Sequence, residues 1–332
     1  MTEEKKATIG VIIPVPLREQ LFSPEDCQRL EGLGQVRWHS GDTNMTVQEA
    51  SQFLSGCEVG IGSWNTPYPC RELLDRCPHL RLWEHAGGSV KHMFGPHLEG
   101  RDLTIASCAP AIAESVAEYT LVAIIAGCRR ILPNAQDNRR GRAARPADAR
   151  PVSGSVIGIV GASLVGRAVI RLLAPFRPRI LVYDPYLSQD DARTLGVEKR
   201  EDLVEMCREC DVLTVHAPAK EDTLKLISKQ ALGALKDGAV FINTARGACV
   251  DEEALVDELR RGRLFAFLDV TEPEPAADDS PLRRLPNVVL TSHIAGGPFR
   301  IIGKQVVDDV ERFLNGDRPL FVVTFADLKR VA

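Results

Sequence analysis

A glycine-framed turn between a short apolar run and an amphipathic stretch most constrains the fold of this chain. The turn follows residues 156–160 and opens the stretch 167–173. A strand, a glycine turn and a helix in this order begin a dinucleotide-binding βαβ unit. Gly161 allows the tight turn and Gly166 allows close packing of the helix on the strand. Ser163 replaces the middle glycine that normally admits a pyrophosphate, and we interpret it as a tolerated variant whose hydroxyl can donate to a phosphate oxygen.

Short apolar runs rich in β-branched residues alternate with amphipathic stretches along the rest of the chain. This alternation is the signature of parallel sheets whose ligands bind beyond the carboxyl ends of the strands. The runs of the larger sheet are 156–160, 180–183, 211–215, 239–242, 264–268 and 288–291. Earlier runs predict a second, smaller α/β domain, and they are 8–12, 36–38, 59–61, 80–83 and 104–107.

An acidic residue ends the second run of the nucleotide-binding unit. Asp184 follows the glycine turn by roughly 20 residues, where an acid binds the adenosine ribose hydroxyls. An Asp before Pro is also a common turn former, and this alternative stays open for Asp184 taken alone. Its carboxylate would repel a 2'-phosphate, so the predicted cofactor is NAD and not NADP.

Three charged residues follow later runs of the same sheet. Arg246 stands in Asn-Thr-Ala-Arg-Gly, Glu274 in Thr-Glu-Pro-Glu-Pro and His293 in Thr-Ser-His-Ile-Ala. A guanidinium can hold a planar carboxylate, and a carboxylate beside an imidazole favours the imidazolium form, which is a proton donor. Each residue alone is more often structural. Together at one edge of a sheet they suit the reduction of a carbonyl next to a carboxylate.

Composition limits the alternatives. The net charge of -4 gives no basic field for nucleic acid. The charged opening residues contain no apolar run for a signal peptide or membrane span, so we expect a cytoplasmic protein without membrane partners. Nine scattered cysteines predict reduced thiols, and Cys207-x-x-Cys210 has no second pair at metal spacing, so no metal is predicted.

Six motifs in order make the chain resemble the D-isomer-specific 2-hydroxyacid dehydrogenase family over nearly its whole length. The motifs are 108–119, the turn at Gly161, 216–218, 243–247, 269–275 and 293–297. The resemblance implies that Arg246 grips the substrate carboxylate and carbonyl, that His293 is the acid and base, and that Glu274 is its partner. It also implies that Asp269 receives the nicotinamide carboxamide. The cofactor-binding residues predicted on this basis are Gly161, Ser163, Leu164, Val165, Asp184, His216, Ala217, Pro218, Thr244, Ala245, Asp269 and Gly296.

The resemblance also places a glycine-rich turn over the substrate carboxylate, where backbone N–H groups can form an anion-binding nest. The substrate-binding residues predicted are Gly87, Gly88, Ser89, Lys91, Trp64, Arg246 and His293. Lys91 and His85 would make this wall cationic, and Trp64 would limit its depth. We therefore expect a compact oxo acid with a second acidic group. Solvent exposure of Lys91 and a structural role for His85 are the open alternatives.

The predicted fold class is α/β, a Rossmann doubly wound parallel sheet plus a smaller flavodoxin-like α/β substrate domain. By the resemblance, the C-terminal amphipathic helix returns to the first domain. This gives a substrate (catalytic) domain of residues 1–108 and 299–332, and an NAD-binding Rossmann domain of residues 109–298. The stretch 113–140 has few helix breakers and predicts one long helix, which the resemblance implies is a homodimer contact. A core helix of a monomer is the alternative.

The predicted function is an NAD-dependent oxidoreductase that interconverts a small 2-oxo acid and its D-2-hydroxy acid by hydride transfer. The alternative is an NADH-sensing, corepressor-like binding module with little turnover, because such modules can keep the same three charged residues. Formate oxidation is a further possibility, although that branch of the family generally carries Gln at the position of Glu274.

Overall fold

The computed structural model describes residues 6–142, 145–297 and 299–329. Contacts divide the chain into two compact units, the first formed by residues up to 112 together with those from 298 onward, and the second by residues 113–297. The sequence predicted the first boundary at 108/109. The division by contacts falls after residue 112, inside a helix, and the Ala111 N–H in the first turn of that helix donates to Gln305 Oε1 of the same unit at 3.0 Å.

Strands and helices alternate throughout the described chain. The N-terminal segment contains β1 (Thr8–Val11), α1 (Val15–Leu21), α2 (Pro24–Leu33), β2 (Gln35–Trp38), α3 (Val47–Phe53), β3 (Val59–Ser63), α4 (Arg71–Arg76), β4 (Leu82–Ala86) and β5 (Thr104–Ser107). The middle segment contains α5 (Ala109–Cys128), α6 (Ile131–Arg139), β6 (Val156–Val160), α7 (Leu164–Leu173), β7 (Arg179–Tyr183), α8 (Gln189–Leu195), β8 (Glu198–Arg200), α9 (Leu203–Glu209), β9 (Val212–Val215), α10 (Lys229–Ala234), β10 (Ala239–Asn243), α11 (Glu252–Arg260), β11 (Leu264–Leu268) and β12 (Val288–Leu290). The C-terminal segment contains α12 (Arg300–Leu314) and β13 (Val322–Val323).

The first unit has a six-stranded sheet in the order β13-β5-β4-β3-β1-β2. Strands β1 to β5 are parallel and follow the flavodoxin order 2-1-3-4-5, and β13 is antiparallel to β5. Both faces of the sheet are covered by helices, which is why β3 and β4 are buried along their whole lengths. The apolar face of α12, with Ile302, Val306 and Val310, packs in the same core as β1 and β4.

The second unit has a seven-stranded parallel sheet in the order β12-β11-β10-β9-β6-β7-β8. Strand order reverses beside β6, so the chain winds outward in both directions from it and leaves a crevice at the carboxyl ends of β6 and β9. Two apolar cores cover the two faces of the sheet. The predicted α/β class with a Rossmann doubly wound sheet is confirmed.

The sequence pattern missed β8. Its three residues, Glu198, Lys199 and Arg200, contain no apolar side chain, so neither period 2 nor a β-branched run marks them. The strand forms at the sheet edge because its backbone pairs with β7 and its charges pair with neighbours. Arg179 Nε lies 2.8 Å from Glu198 Oε1, and Arg200 Nη2 lies 2.9 Å from Glu198 Oε2. A charged edge also resists pairing with a foreign strand.

The prediction of one continuous helix over 113–140 is wrong, because α5 and α6 are separated at Arg130. This residue has φ 53°, in the left-handed region, and its side chain is 2% exposed. The guanidinium donates to Gly127 O at 3.0 Å, to Gly238 O and to Asp148 Oδ2, and its carbon lies 4.0 Å from the centre of the Phe265 ring. These contacts hold a backbone conformation that a helix would not adopt.

The helix α5 is apolar for most of its length. It has a mean hydropathy of 1.5 over 18 residues and meets the length and composition of a membrane span, a test that buried core helices also meet. In this structure 61% of that window is buried within the protein. The expectation of no membrane partner stays a prediction.

Candidate active site

Three loops carry the predicted catalytic side chains, and all leave one edge of the larger sheet. β10, β11 and β12 are adjacent and parallel. The loops that follow them contain Arg246, Glu274 and His293, respectively. Carboxyl ends of parallel strands meet at the same edge, and this is the physical reason that residues distant in sequence share one side of the second unit.

The loop of Arg246 is shaped by the buried Asn243 at the end of β10. The Asn243 amide donates to Arg246 O at 2.9 Å, and its oxygen accepts from the Ala245 N–H at 3.0 Å. A β-carbon at Gly247 would lie 2.1 Å from the carbonyl carbon of Thr271, so only glycine allows this loop to pack on the next one. The Arg246 side chain itself is exposed, with Nη1 at 2.6 Å from Ala245 O.

His293 and Glu274 form a direct pair. Nδ1 of His293 lies 2.5 Å from Oε1 of Glu274, and the two side chains are 50% and 38% exposed. A carboxylate can only accept, so Nδ1 carries the proton of this hydrogen bond and Nε2 is left to exchange a proton with a ligand. The pair therefore has the geometry of a general acid and its orienting carboxylate.

The backbone of His293 is held in an unusual conformation by Asp269. His293 has φ 55°, and its N–H donates to Asp269 O at 2.8 Å. The buried Asp269 carboxylate accepts from Thr291 Oγ1 at 2.6 Å and from the N–H groups of Ile294 and Ala295, each at 2.9 Å. Since a carboxylate has about four acceptor sites, three go to the loop and one is left for a ligand donor such as an amide.

The glycine turn requires its glycines. Gly161 has φ +97°, and a β-carbon there would lie 3.0 Å from Ala217 N and from the carbonyl of His216. A β-carbon at Gly166 would lie 2.1 Å from Gly161 O, within the contact of α7 on the turn. The turn therefore lies against the loop that follows β9, at the strand-order reversal where a dinucleotide binds.

The Ser163 hydroxyl makes hydrogen bonds within the protein. It donates to His216 O at 2.9 Å and accepts from the Gly166 N–H at 3.4 Å as the N-cap of α7. A hydroxyl has one proton, and here it ties the turn to the β9 loop. The role of Ser163 toward a phosphate oxygen therefore stays a prediction.

The residues present fit a dinucleotide. Leu164 and Val165 form the first turn of α7, whose N–H groups and positive dipole end favour a pyrophosphate. Asp184 is oriented by the N–H groups of Ala162 and Tyr186, each at 2.7 Å from one carboxylate oxygen. Both oxygens keep acceptor capacity for ribose hydroxyls. The other predicted cofactor positions lie in loops at the carboxyl edge of the same sheet, and they are His216, Ala217, Pro218, Thr244, Ala245 and Gly296.

The predicted substrate residues of the first unit follow two neighbouring strands, Trp64 after β3 and the others after β4. The Gly87 N–H donates to His85 O at 2.7 Å, and Gly87 O accepts from the Cys108 N–H at 3.0 Å. Gly88 and Ser89 follow in the same turn, and Lys91 is exposed at the start of a short 3-10 helix. Trp64 is half-buried, with its ring 5.5 Å from the Phe299 ring.

The expectation that His85 makes this wall cationic is wrong. β4 extends to Ala86, so His85 lies inside the strand and is 3% exposed. Burial, together with the nearby His92, lowers the pKa of His85 to about 4, and the imidazole is neutral at pH 7. Of the two predicted cations, Lys91 remains, and its contact with a substrate stays a prediction.

Two residues with a clear part in the site had no role assigned from the sequence. Asn243 shapes the Arg246 loop, and Thr291 links Asp269 to the His293 loop. Both lie at strand ends, directly beside predicted motifs. A polar residue at the end of a predicted strand was the sequence pattern that could have identified them. Among the described residues, no group of three or more His, Cys, Asp or Glu side chains is placed to hold a metal ion.

His216 makes the stability of the chain depend on pH. Burial lowers its pKa from 6.5 to about 3. As pH falls below 6.5, His216 therefore takes up a proton in the unfolded chain but stays neutral in the folded chain. This difference lowers the free energy of unfolding as pH falls. We expect the free energy of unfolding to fall between pH 7 and pH 5 in both proteins, and the fall in His216→Asn to be smaller than in the wild type by about 2 kcal/mol. Urea unfolding at the two pH values measures this difference. His79→Gln is the control, since His79 is exposed. A wild-type pH dependence in His216→Asn would contradict the burial argument.

Comparison with known proteins agrees with this geometry. Residues 121–295 match the family model described as D-isomer specific 2-hydroxyacid dehydrogenase, NAD binding domain. The D-3-phosphoglycerate dehydrogenase of Methanocaldococcus jannaschii is 26% identical over 325 residues, which are 96% of this chain and 60% of that protein. The formate dehydrogenase of Arabidopsis thaliana is 31% identical over 261 residues, 75% of this chain and 67% of that protein. This chain thus spans about 60% of the phosphoglycerate relative.

A solved structure shows the same fold along the chain. The phosphoglycerate oxidoreductase from Rhizobium etli superimposes with a TM-score of 0.79 at 27% identity, and the match covers 95% of this chain and 98% of that one. The family match covers more than half of the chain and contains the glycine turn, Asp184 and the three catalytic-site loops. NAD is the cofactor of this domain. The chain belongs to the D-isomer specific 2-hydroxyacid dehydrogenase family.

Proposed function

We propose that this protein is an NAD-dependent oxidoreductase that interconverts a small 2-oxo acid and its D-2-hydroxy acid. The observation that carries the proposal is the His293–Glu274 pair, at 2.5 Å, on the sheet edge that also carries Arg246. Family membership supports the same reaction class. An acid with an orienting carboxylate and a nearby guanidinium match the needs of carbonyl reduction beside a carboxylate.

In the proposed reaction, the glycine turn before α7 and Asp184 would hold NADH, which would supply the hydride for the carbonyl carbon. Negative charge then develops on the carbonyl oxygen, and the Arg246 guanidinium stabilises it while holding the substrate carboxylate. His293 delivers a proton from Nε2 to that oxygen, and Glu274 stabilises the imidazolium before the transfer. The reverse direction uses His293 as the base that takes the hydroxyl proton.

The other two candidate functions have less support. No specific observation in the described residues favours an NADH-sensing, corepressor-like module. Formate dehydrogenases are among the relatives, but Glu274 pairs with His293 here, and a carboxylate suits proton delivery to a carbonyl oxygen. Oxidation of formate needs no such proton. We therefore favour the 2-oxo acid reaction.

The proton-donor role is tested by His293→Ala. We expect kcat for reduction of a good 2-oxo acid to fall on the order of 100-fold or more, because the developing alkoxide loses its acid. The dissociation constant for NADH, followed by quenching of protein fluorescence, should change little. His79→Ala, which removes an exposed imidazole far along the sequence, serves as the control. Reduction by His293→Ala at the wild-type rate would refute the assignment.

The preference for NAD over NADP is assigned to Asp184. Its carboxylate is fixed by two backbone N–H groups, so it cannot turn away from a 2'-phosphate without losing them. We expect Asp184→Ser to weaken NADH binding and to reduce the ratio of the NADPH to the NADH dissociation constant by about tenfold or more. Titrations of both cofactors measure this ratio. A wild-type protein that prefers NADPH, or an unchanged ratio in the variant, would count against the role of Asp184.

We propose a dianionic substrate, an oxo acid with a second carboxylate, phosphate or phosphonate group. The exposed Lys91 supports this, since a lysine attracts anions as a point charge. Relatives named as phosphoglycerate enzymes also support an acidic substrate. The neutral state of His85 leaves Lys91 as the cation to be tested at this wall.

The test of the dianionic substrate is Lys91→Ala in a panel of 2-oxo acids with NADH. We expect KM for a dianionic oxo acid to rise about fivefold to tenfold, with little change for pyruvate, because only the second anion loses its partner. Lys304→Ala removes an exposed lysine on α12 and should leave both KM values at wild type. If a bulky aromatic or aliphatic oxo acid has the highest kcat/KM, the dianionic proposal fails while the reaction class can stand.

We also propose that the protein acts as a homodimer in the cytoplasm, without nucleic acid or membrane partners. Exposed apolar side chains on the helices α5 and α6 support the dimer, namely Val122, Ile131 and Leu132. The nine cysteines are all unpaired, seven of them buried, which suits a reducing compartment.

A further inference from the structure

Helix α5 carries three hydroxyl side chains near its N-terminal half, Ser115, Tyr119 and Thr120. Ser115 and Tyr119 are four residues apart and share one side of the helix, and Thr120 follows Tyr119 directly. Each hydroxyl contacts a loop at the carboxyl edge of the larger sheet. The contacts are Ser115 Oγ with Ala295 O at 3.2 Å, Tyr119 Oη with Thr291 Oγ1 at 2.7 Å, and Thr120 Oγ1 with Thr244 Oγ1 at 3.2 Å. All of these residues belong to the second unit.

The hydrogen-bond direction in the Tyr119 contact follows from its neighbours. Thr291 Oγ1 donates its single proton to Asp269 Oδ1 at 2.6 Å. The Thr291 oxygen must therefore accept at its second contact, and the Tyr119 O–H is the donor there. The result is a two-step chain of hydrogen bonds from Tyr119 through Thr291 to Asp269, with every proton pointing toward the carboxylate.

The phenol is suited to stay a donor. Tyr119 is about half buried, and this burial raises the pKa of its hydroxyl from the usual value of a tyrosine. It extends from α5, a helix of 20 residues that packs in the core of the second unit through Ala117, Ala123 and Ile124. The chain of hydrogen bonds therefore anchors the Asp269 carboxylate to a rigid element.

We propose that Tyr119 is a positioning residue that fixes His293 through Thr291 and Asp269. His293 has φ 55°, a conformation that persists in a non-glycine residue only where the surroundings over-determine it. Asp269 binds the loop on both sides of His293, at Thr291 and at Ile294 and Ala295. The proposal rests on the proposed function only where it assigns the proton transfer to His293. The physical link from Tyr119 to the His293 loop is independent of that function.

The link can be tested without substrate or cofactor. The chain has seven histidines, so a protein labelled with 13C at histidine Cε1 gives seven ring signals, and His293→Gln identifies the one from His293. We expect Tyr119→Phe to shift or broaden that signal, because the loop becomes less restrained. Thr194→Val removes an exposed hydroxyl on α8 and should leave it unchanged. An unmoved His293 signal in Tyr119→Phe would overturn the proposal.

Two variants of Thr291 distinguish loss of the hydrogen bonds from a general loss of folding. Thr291→Ser keeps a hydroxyl at the same place and should give the wild-type His293 signal. Thr291→Val keeps the shape but breaks both hydrogen bonds, and it should move the signal at least as far as Tyr119→Phe does. Equal behaviour of the serine and valine variants would show that the hydroxyl is not the link and would refute the proposal.

Kinetics give a second, independent measure. We expect Tyr119→Phe to lower kcat about threefold to tenfold, with KM for NADH within about twofold of wild type. In the His293→Ala background the same substitution should cause no further loss, since it acts through His293. An equal loss in both backgrounds would contradict the proposal. If the wild type reduces no 2-oxo acid, the proposed function fails, and the ring signal alone decides the positioning role.

Discussion

The carboxylate of Asp269 is the interaction on which the arrangement of the site depends. It is 1% exposed, and a buried charge is costly unless donors surround it. Thr291 and the two N–H groups after His293 supply these donors. Because the same contacts force the loop to close around Asp269, the desolvation cost of one charge is offset by the hydrogen bonds that hold His293 at a positive φ.

The nucleotide side of the site depends on steric limits of the backbone. At Gly161, Gly166 and Gly247 a β-carbon would lie between 2.1 and 3.0 Å from backbone atoms of a neighbouring segment. These approaches bring the glycine turn against the β9 loop and the Arg246 loop against the next one. The hydroxyl of Ser163 adds a bond across the first of these contacts. Loops that carry binding and chemistry are thus packed on each other before any ligand binds.

The sequence predicted the parts of the fold and site that depend on local pattern. Apolar runs marked the core strands, and spacing marked Gly161, Gly166 and Asp184. What it could not predict depends on contacts distant in sequence. The β8 strand is held by Arg179 on β7 and Glu209 on α9, and the break between α5 and α6 is held by the partners of Arg130. The sequence also could not show that β4 buries His85, and this burial lowers the pKa of the imidazole and keeps it neutral.

The proposed reaction assigns proton transfer and positioning to residues that differ in burial. His293 and Glu274 are 50% and 38% exposed, so water screens their attraction and a proton can pass between the imidazole and a ligand. Asp269 is buried among donors and holds the His293 loop through hydrogen bonds. A change at the exposed pair therefore acts on the chemistry directly, whereas a change around Asp269 acts through geometry. Since the Tyr119 hydroxyl lies at the far end of the Asp269 chain, helix α5 belongs to the geometric part of the site although it touches no reacting atom.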